Sequence, residues 1–167
     1  AVGEEIIDTG MTPDEIVRSL SIEKAAEVSK LCQSEDVIIA ADTVVALDGE
    51  IMGKPCGKDE AFQMLSKLSG RTHDVFTGVT VMQGKKAFTE FERTSVRFRE
   101  LTEREISAYI ETGEPMDKAG AYAMQEIGGL FVERIDGSPT NVIGLPLAVV
   151  ASLLQAAGLY PGDEILR

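Results

Sequence analysis

A chain of 167 residues, with 44% hydrophobic and 26% charged residues, has the size and composition of one globular domain. Its formal net charge of −12 argues against nonspecific binding to nucleic acid, which needs a basic face. The sequence shows no membrane-span or signal-peptide pattern, and its two cysteines, Cys32 and Cys56, lack metal-ligand spacing. We therefore expect a cytoplasmic protein with reduced thiols, no nucleic-acid partner and no membrane partner.

The first predicted elements are a helix and a strand. Thr12, Pro13 and Glu15 mark a helix start, with a capping residue, a proline at the first helical position and a glutamate that closes a capping box. The apolar spacing that follows predicts a helix to about Cys32. Residues 37–47 are almost wholly apolar and rich in Val and Ile, which predicts a strand covered on both faces.

The rest of the chain alternates hairpin and helix signals. Asp48 and Gly49 predict a tight turn into a short return strand, and residues 137–141 predict a turn capped by Asn141. Further strands are predicted at residues 72–82, 87–98 and 130–135, and further helices at residues 59–68, 102–113 and 146–157. This mixture predicts an α/β fold, with α+β as the other reading, in which helices flank a mixed sheet and two lobes enclose a cleft.

Asp42 is the most informative residue, because it interrupts an apolar, β-branched run. An unpaired carboxylate in such a strand carries a large desolvation cost. Asp42 must therefore lie at the end of the strand, pair with a cation or bind a metal ion. The other interpretation, in which the strand breaks and Asp42 caps a turn, is less favoured because β-branched residues continue directly after it.

Two cations lie in short polar strings that contain glycine. Lys54 lies in the string GKP, where glycine allows close backbone approach and a lysine suits a phosphate. Taken alone, such a lysine more often marks a surface loop. Arg71, in the string SGRTH, could grip a phosphate in a bidentate way. His73 is the only histidine, which favours a structural or hydrogen-bonding role over a metal ligand.

A segment rich in Gly and Ala, residues 113–129, carries another group of polar side chains. Asp117 and Lys118 precede small residues that permit tight packing or ligand approach, and Gln125 could read a base edge or orient a phosphate. The competing interpretation is a solvated loop, since the segment has no metal-ligand spacing. In so acidic a chain, a polyanionic ligand would need such local cations, a metal ion, or both.

Six strings occur in order along nearly the whole chain: ADTVV at 41–45, GKP at 53–55, LSGRTH at 68–73, TGV at 77–79, GEPMDKAGAY at 113–122 and NVIGLPL at 141–147. Each string alone is weak, but the ordered set is specific and resembles the Maf family of nucleoside triphosphate pyrophosphatases. The resemblance implies a Maf-like or ITPase-like mixed sheet with a cleft. It also implies hydrolysis of a nucleoside triphosphate to the monophosphate and pyrophosphate.

The resemblance further implies the roles of individual residues. Asp42 matches the acidic residue proposed as general base or metal ligand, and Lys54 matches a phosphate-binding lysine. Lys24 matches a second active-site lysine, Glu5 a metal-binding glutamate, and Gln125 a glutamine at the nucleotide.

Arg71 and Lys118 complete the expected substrate-binding set. The strings that contain Arg71 and the segment from Asp117 to Gln125 resemble the subgroup that prefers dTTP and UTP. The implied metal is Mg²⁺ or Mn²⁺, held by carboxylates and substrate oxygens. A homodimer is also expected from the family.

One family feature, an N-terminal strand with a Ser-x-Ser-Pro-Arg-Arg phosphate loop, does not occur in this sequence. We expect that the single Maf-like domain, residues 1–167, has either been cut short at its N-terminus or lost a phosphate anchor. The first is favoured, because the missing strand would lie in the sheet. The second gives weight to an alternative function, a non-catalytic nucleotide-binding regulator of septum formation and cell division. Modified nucleotides are a further substrate class for the enzyme.

Overall fold

Helix α1 is the first element of the described chain. The structure, a computed structural model, describes residues 10–159 and residue 162. Helix α1 spans Pro13–Ser29, and the backbone N–H of Thr12 donates to Oε2 of Glu15 at 2.9 Å. The predicted capping box is therefore confirmed.

Among the described residues, five strands and four further helices follow, joined in one region by short 3₁₀ helices. The strands are β1 (Val37–Leu47), β2 (Glu50–Met52), β3 (Thr72–Gln83), β4 (Lys86–Phe98) and β5 (Val132–Asp136). The helices are α2 (Lys58–Leu68), α3 (Glu103–Glu111), α4 (Pro139–Ile143) and α5 (Leu147–Ala156). Three 3₁₀ helices, Glu114–Asp117, Ala119–Ala121 and Ile127–Phe131, lie between α3 and β5. None of the helices described here is both long and apolar enough to cross a membrane.

The five strands form one sheet in the order β2-β1-β3-β4-β5. We expected a mixed sheet, but every strand pairing among the described residues is antiparallel. Tight turns explain part of this difference, because a short hairpin can join only antiparallel strands. Asp48 and Gly49, with φ of 53° and 85°, turn β1 into β2, as the sequence predicted. Gly84, with φ of 55°, lies in the turn from β3 to β4.

Helices cover both faces of the sheet, which confirms the expected class of helices flanking a sheet. On one face, Ile16, Val17 and Leu20 of α1 pack against Val44 of β1. The helix lies so close that a Cβ on Gly78 would be 2.2 Å from the carbonyl oxygen of Val17. On the other face, α5 packs against β3 and β4. Beside it, the largest core cluster joins β1, β3 and β4 to α2 and α3.

Three local expectations differ from the structure. The strand expected at residues 130–135 begins at Val132, because Ile127–Phe131 forms a 3₁₀ helix. The turn expected at residues 137–141 contains the start of α4, where Oγ of Ser138 accepts from the N–H of Asn141 at 3.4 Å. Strand β1 is not covered along its whole length, since Val37 and Ile39 are 43% and 45% exposed.

Candidate active site

A cavity of about 300 Å³ lies beside β1 and gathers most of the predicted site residues. Five of them line it: Lys24, Asp42, Lys54, Lys118 and Gln125. They come from α1, β1, the segment after β2 and the segment between α3 and β5. Residues far apart in the chain therefore share one concave surface, as a ligand site requires.

Asp42 lies inside β1 and forms an ion pair with Lys24 of α1. Side chains alternate along a strand, so Asp42 faces the same side as Val44, which packs against α1. The Nζ atom of Lys24 contacts Oδ1 of Asp42 and also donates to the carbonyl oxygen of Ala41 at 3.4 Å. The Asp42 side chain is 16% exposed. Of the three arrangements that the sequence left open, pairing with a cation is the one observed.

The cavity lies along an edge of β1. Strand β2 pairs only with residues 45–47 of β1, so residues 37–44 have one strand neighbour, β3, within the described part of the chain. Ala41, Asp42 and Thr43 all line the cavity although successive side chains point to opposite faces. Among the described residues no strand covers this edge, so the cavity contacts the backbone of β1 as well as its side chains.

Lys54 and Lys118 lie on segments that are tied together. The N–H of Gly120 donates to the carbonyl oxygen of Gly53 at 3.0 Å. Nζ of Lys118 donates to Oδ1 of Asp117 at 2.6 Å, and this contact is the main reason that the pKa of Lys118 is raised. The same hydrogen bond lowers the pKa of Asp117, and the charge of Lys54 adds to the effect. Lys118 therefore keeps its positive charge at the cavity, paired with the carboxylate of Asp117.

Tyr122 joins the wall of the cavity to the core through His73. The Tyr122 hydroxyl and Nε2 of His73 are 2.9 Å apart. His73 is 2% exposed and packs edge-to-face against Phe98 at 4.9 Å between ring centroids. Burial lowers its pKa to about 4, so the ring is neutral near pH 7. These contacts fit the structural role that the sequence favoured for His73.

A chain of buried hydroxyl and amide groups supports the opposite wall, and sequence reasoning missed it. Thr43 lines the cavity, and its Oγ1 lies 2.9 Å from Oγ1 of Thr77. Oγ1 of Thr77 donates to the carbonyl oxygen of Asn141 at 3.1 Å. Nδ2 of Asn141 donates to Oγ1 of Thr94 at 2.9 Å and to the carbonyl oxygen of Val75 at 3.0 Å. The available signal was one threonine in each of two neighbouring strands, Thr43 in β1 and Thr77 in β3.

One predicted site residue, Arg71, does not line this cavity. Arg71 lies in a second cavity of about 420 Å³, where its Nη2 atom donates to Oδ2 of Asp48 at 2.6 Å. Asp42 pairs with Gly78 in the antiparallel sheet, and Arg71 is seven positions before Gly78, roughly 23 Å along an extended chain. Glu5 lies outside the described residues. The roles of Arg71 and Glu5 therefore stay predictions.

The described residues contain no group of three or more His, Cys, Asp or Glu side chains that could hold a metal ion by themselves. Mg²⁺ is commonly held by one or two carboxylates together with substrate phosphates. Asp42 and Asp117 both line the cavity, so its donor set fits an ion that a polyphosphate helps to bind.

Comparisons with known proteins show which sequences this chain is similar to. The family model described as Maf-like protein matches residues 1–157. The chain is 47% identical over 158 residues to the dTTP/UTP pyrophosphatase of Bacillus pumilus, an alignment that covers 95% of this chain and 83% of the relative. It is 45% identical over 160 residues to the dTTP/UTP pyrophosphatase of Caldicellulosiruptor bescii, with 93% and 80% covered. A Bacillus cereus relative with the same name is 46% identical over 145 residues, with 87% and 75% covered.

Proposed function

This chain belongs to the family of Maf-like proteins, and we propose that it is a nucleotide pyrophosphatase that hydrolyses dTTP and UTP to the monophosphate and pyrophosphate. The name shared by its relatives supports this activity. The observation that carries the proposal is the pairing of Asp42 with Lys24 at a cavity that Lys54 and Lys118 also line. A mostly buried acid beside several amines suits a polyphosphate and the water that attacks it.

The local charge at the cavity favours a polyanion, although the whole chain is acidic. Three lysines, Lys24, Lys54 and Lys118, line it against two aspartates, Asp42 and Asp117. The formal net charge of the chain is −12, so this group of cations stands out against its surroundings. Such a positive site attracts phosphate groups and favours highly charged triphosphates over less charged competitors.

In the proposed reaction, a water oxygen attacks the α-phosphorus of the triphosphate. The water proton passes to the carboxylate of Asp42, and the bond between the α-phosphorus and the bridging oxygen breaks. Pyrophosphate leaves with that oxygen, and the lysines stabilise its charge. The ammonium group of Lys24 can donate either to the Asp42 carboxylate or to a substrate phosphate. When it donates to the phosphate instead, the carboxylate is free to accept the water proton.

A divalent ion, Mg²⁺ or Mn²⁺, belongs to this proposal. Asp42 and Asp117 would hold it together with phosphate oxygens, and Glu5 is a further predicted ligand outside the described residues. When bound, such an ion neutralises charge on the triphosphate. The domain assignment, the homodimer and the cytoplasmic location remain proposals that come from the sequence.

Gln125 is proposed to select the base. Its amide offers both a donor and an acceptor, which is what the edge of thymine or uracil requires. Gln125 is exposed at the cavity, so a bound nucleotide can reach it. Tyr122 and Ala123, its neighbours in the chain, line the same cavity.

The test is a panel of nucleoside triphosphates with Mg²⁺ or Mn²⁺ and an assay for released pyrophosphate. We expect dTTP and UTP to give the highest kcat/KM, and inosine and methylated nucleotides to rank modified substrates on the same scale. Release of inorganic phosphate instead of pyrophosphate would contradict attack at the α-phosphorus. Nucleotide binding without any release would favour the alternative, a non-catalytic nucleotide-binding regulator.

A further inference from the structure

We propose that Glu114 is a positioning residue that holds Lys118 and Gln125 at the cavity by closing the loop that carries them. Residues 114–128 are called the cavity loop below. The inference rests on the proposed function, since it assigns Glu114 to the same site. Glu114 itself does not line the cavity, so it acts through the residues that do.

The Glu114 carboxylate bonds to both ends of the cavity loop. Its Oε1 atom accepts from the hydroxyl of Tyr109 at 2.7 Å and from the N–H of Gly128 at 3.0 Å. Its Oε2 atom accepts from the N–H of Ile127 at 3.1 Å. Two hydrogen bonds thus join the first residue of the loop to its last two, and a third ties the same charged acceptor to α3. Such bonds are stronger than those between neutral groups.

Tyr109 anchors this closure to the core. It lies on α3, is 3% exposed and packs edge-to-face against Phe131 at 4.9 Å between ring centroids. Burial raises the pKa of the Tyr109 hydroxyl, and its hydrogen bond to Glu114 adds to the effect, so the group remains a donor. The same hydroxyl accepts from the N–H of Ala123 at 3.4 Å, which places a third point of the loop against α3.

The closure is tight where the loop returns. A Cβ on Gly128 would lie 2.7 Å from the hydroxyl oxygen of Tyr109 and 2.9 Å from the carbonyl oxygen of Ala123. A side chain there would push the backbone away from Tyr109 and Glu114. The loop therefore reaches its closed form through a glycine, a buried phenol and one carboxylate acting together.

Two functional side chains project from the closed loop. Lys118 and Gln125 line the cavity, and both lie between the two ends that Glu114 ties. Without the tie, ordering this segment at each binding event would cost conformational entropy. The loop carries a lysine for phosphate and a glutamine for the base. Loosening it should therefore weaken substrate binding and base discrimination more than it slows the attack of water at Asp42.

The kinetic test compares Glu114→Ala with the wild-type protein on dTTP and on a purine triphosphate. We expect KM for dTTP to rise about tenfold, with a smaller fall in kcat and reduced discrimination between the bases, since small misplacements of binding groups are costly. Glu114→Gln keeps one acceptor oxygen, so its KM for dTTP should lie between those of the wild type and Glu114→Ala. Glu111→Gln is the matched control, because Glu111 ends α3, just before Glu114 in the chain, and pairs only with Lys58 at the surface among the described residues.

Amide hydrogen exchange separates this proposal from the proposed function. Glu114→Ala should accelerate exchange at Ile127 and Gly128 at least tenfold, beyond any change in α3, because their acceptor is removed. If Glu114→Ala does not fold, Tyr109→Phe and Glu114→Gln carry the same test. Wild-type exchange with wild-type KM would overturn the role of Glu114. If amide exchange is faster in Glu114→Ala but the wild-type protein releases no pyrophosphate, the catalytic assignment is overturned and the loop closure still stands.

Discussion

Lys24 of α1 and Asp42 of β1 form an ion pair that joins a helix to the strand beneath it at the mouth of a cavity. The pair explains how a carboxylate exists in an apolar strand, because the lysine offsets its desolvation. It also brings the proposed proton acceptor and a proposed phosphate-binding cation into contact with each other. The Asp42 side chain is 16% exposed and that of Lys24 is 53% exposed, so a ligand can reach the lysine first.

Asp42→Asn should abolish most turnover and leave the fold intact. The amide has the shape of the carboxylate but cannot accept a proton, so pyrophosphate release from dTTP should fall about 10²- to 10⁴-fold. The measurement is steady-state release with the melting temperature of each protein. Asp74→Asn is the matched control: Asp74 also lies in a strand and pairs with Arg93, away from the cavity. Wild-type turnover in Asp42→Asn would rule out the role of Asp42.

Lys24→Met should weaken substrate binding and moderately lower stability. The substitution leaves the mostly buried Asp42 carboxylate without its lysine partner, so the free energy of unfolding should fall by about 1–3 kcal/mol. We expect KM for dTTP to rise about tenfold, because a full charge at the triphosphate is lost. Lys58→Met, which breaks an exposed pair with Glu111, should leave the kinetics unchanged. Equal effects of the two substitutions would contradict the assignment.

His73 should make stability depend on pH in the acidic range. Burial lowers its pKa from 6.5 to about 4, although the charge of Asp74 acts in the opposite direction. Between these values the unfolded chain binds a proton that the folded chain does not, so stability is lost as the pH falls from 6.5 to 4. Over that interval the loss is about 3 kcal/mol.

The measurement is the free energy of unfolding of the wild type and of His73→Gln between pH 7 and pH 4. Both proteins contain the same carboxylates, so the contribution of the carboxylates cancels in the difference. Because glutamine does not titrate, the difference between the two curves should shrink as the pH falls. Parallel curves would show that His73 is protonated as readily in the folded protein as in the unfolded chain.

Arg71→Ala tests the sequence-based expectation that Arg71 binds substrate. Arg71 lies in the second cavity and pairs with Asp48, so its position predicts a KM for dTTP within about twofold of wild type. Lys54→Ala, at the first cavity, should raise KM about tenfold. A large KM effect of Arg71→Ala would restore the role that the resemblance implied and would require the two cavities to act together.

Gly78→Ala should destabilise the fold where α1 meets the sheet. Its Cβ would lie 2.2 Å from the carbonyl oxygen of Val17, so α1 must shift. Overpacking of this kind costs about 1–3 kcal/mol, measured by urea unfolding. The shift also moves Lys24 relative to Asp42, so kcat/KM should fall. Gly57→Ala is the control, because nothing lies within 4 Å of its Cβ, and its cost should stay below about 1 kcal/mol.

The sequence by itself determined the local structure. Thr12 and Thr102 begin helices, and Asp48 with Gly49 forms the hairpin turn, as predicted. These outcomes depend on a few neighbouring residues, so their signals can be read without knowledge of the rest of the chain. The carboxylate of Asp42 was also recognisable, because a charge in an apolar strand demands an explanation within any fold.

Only the tertiary structure decided which side chains meet. Strand register separates Asp42 from Arg71, which lies just before β3. The packing of α1 on Gly78 brings Lys24 to Asp42. The closure of the cavity loop by Glu114 depends on a phenol from α3 and two amide groups at the far end of the loop. Such contacts join residues through pairing and packing of whole elements, and no local pattern of amino acids encodes them.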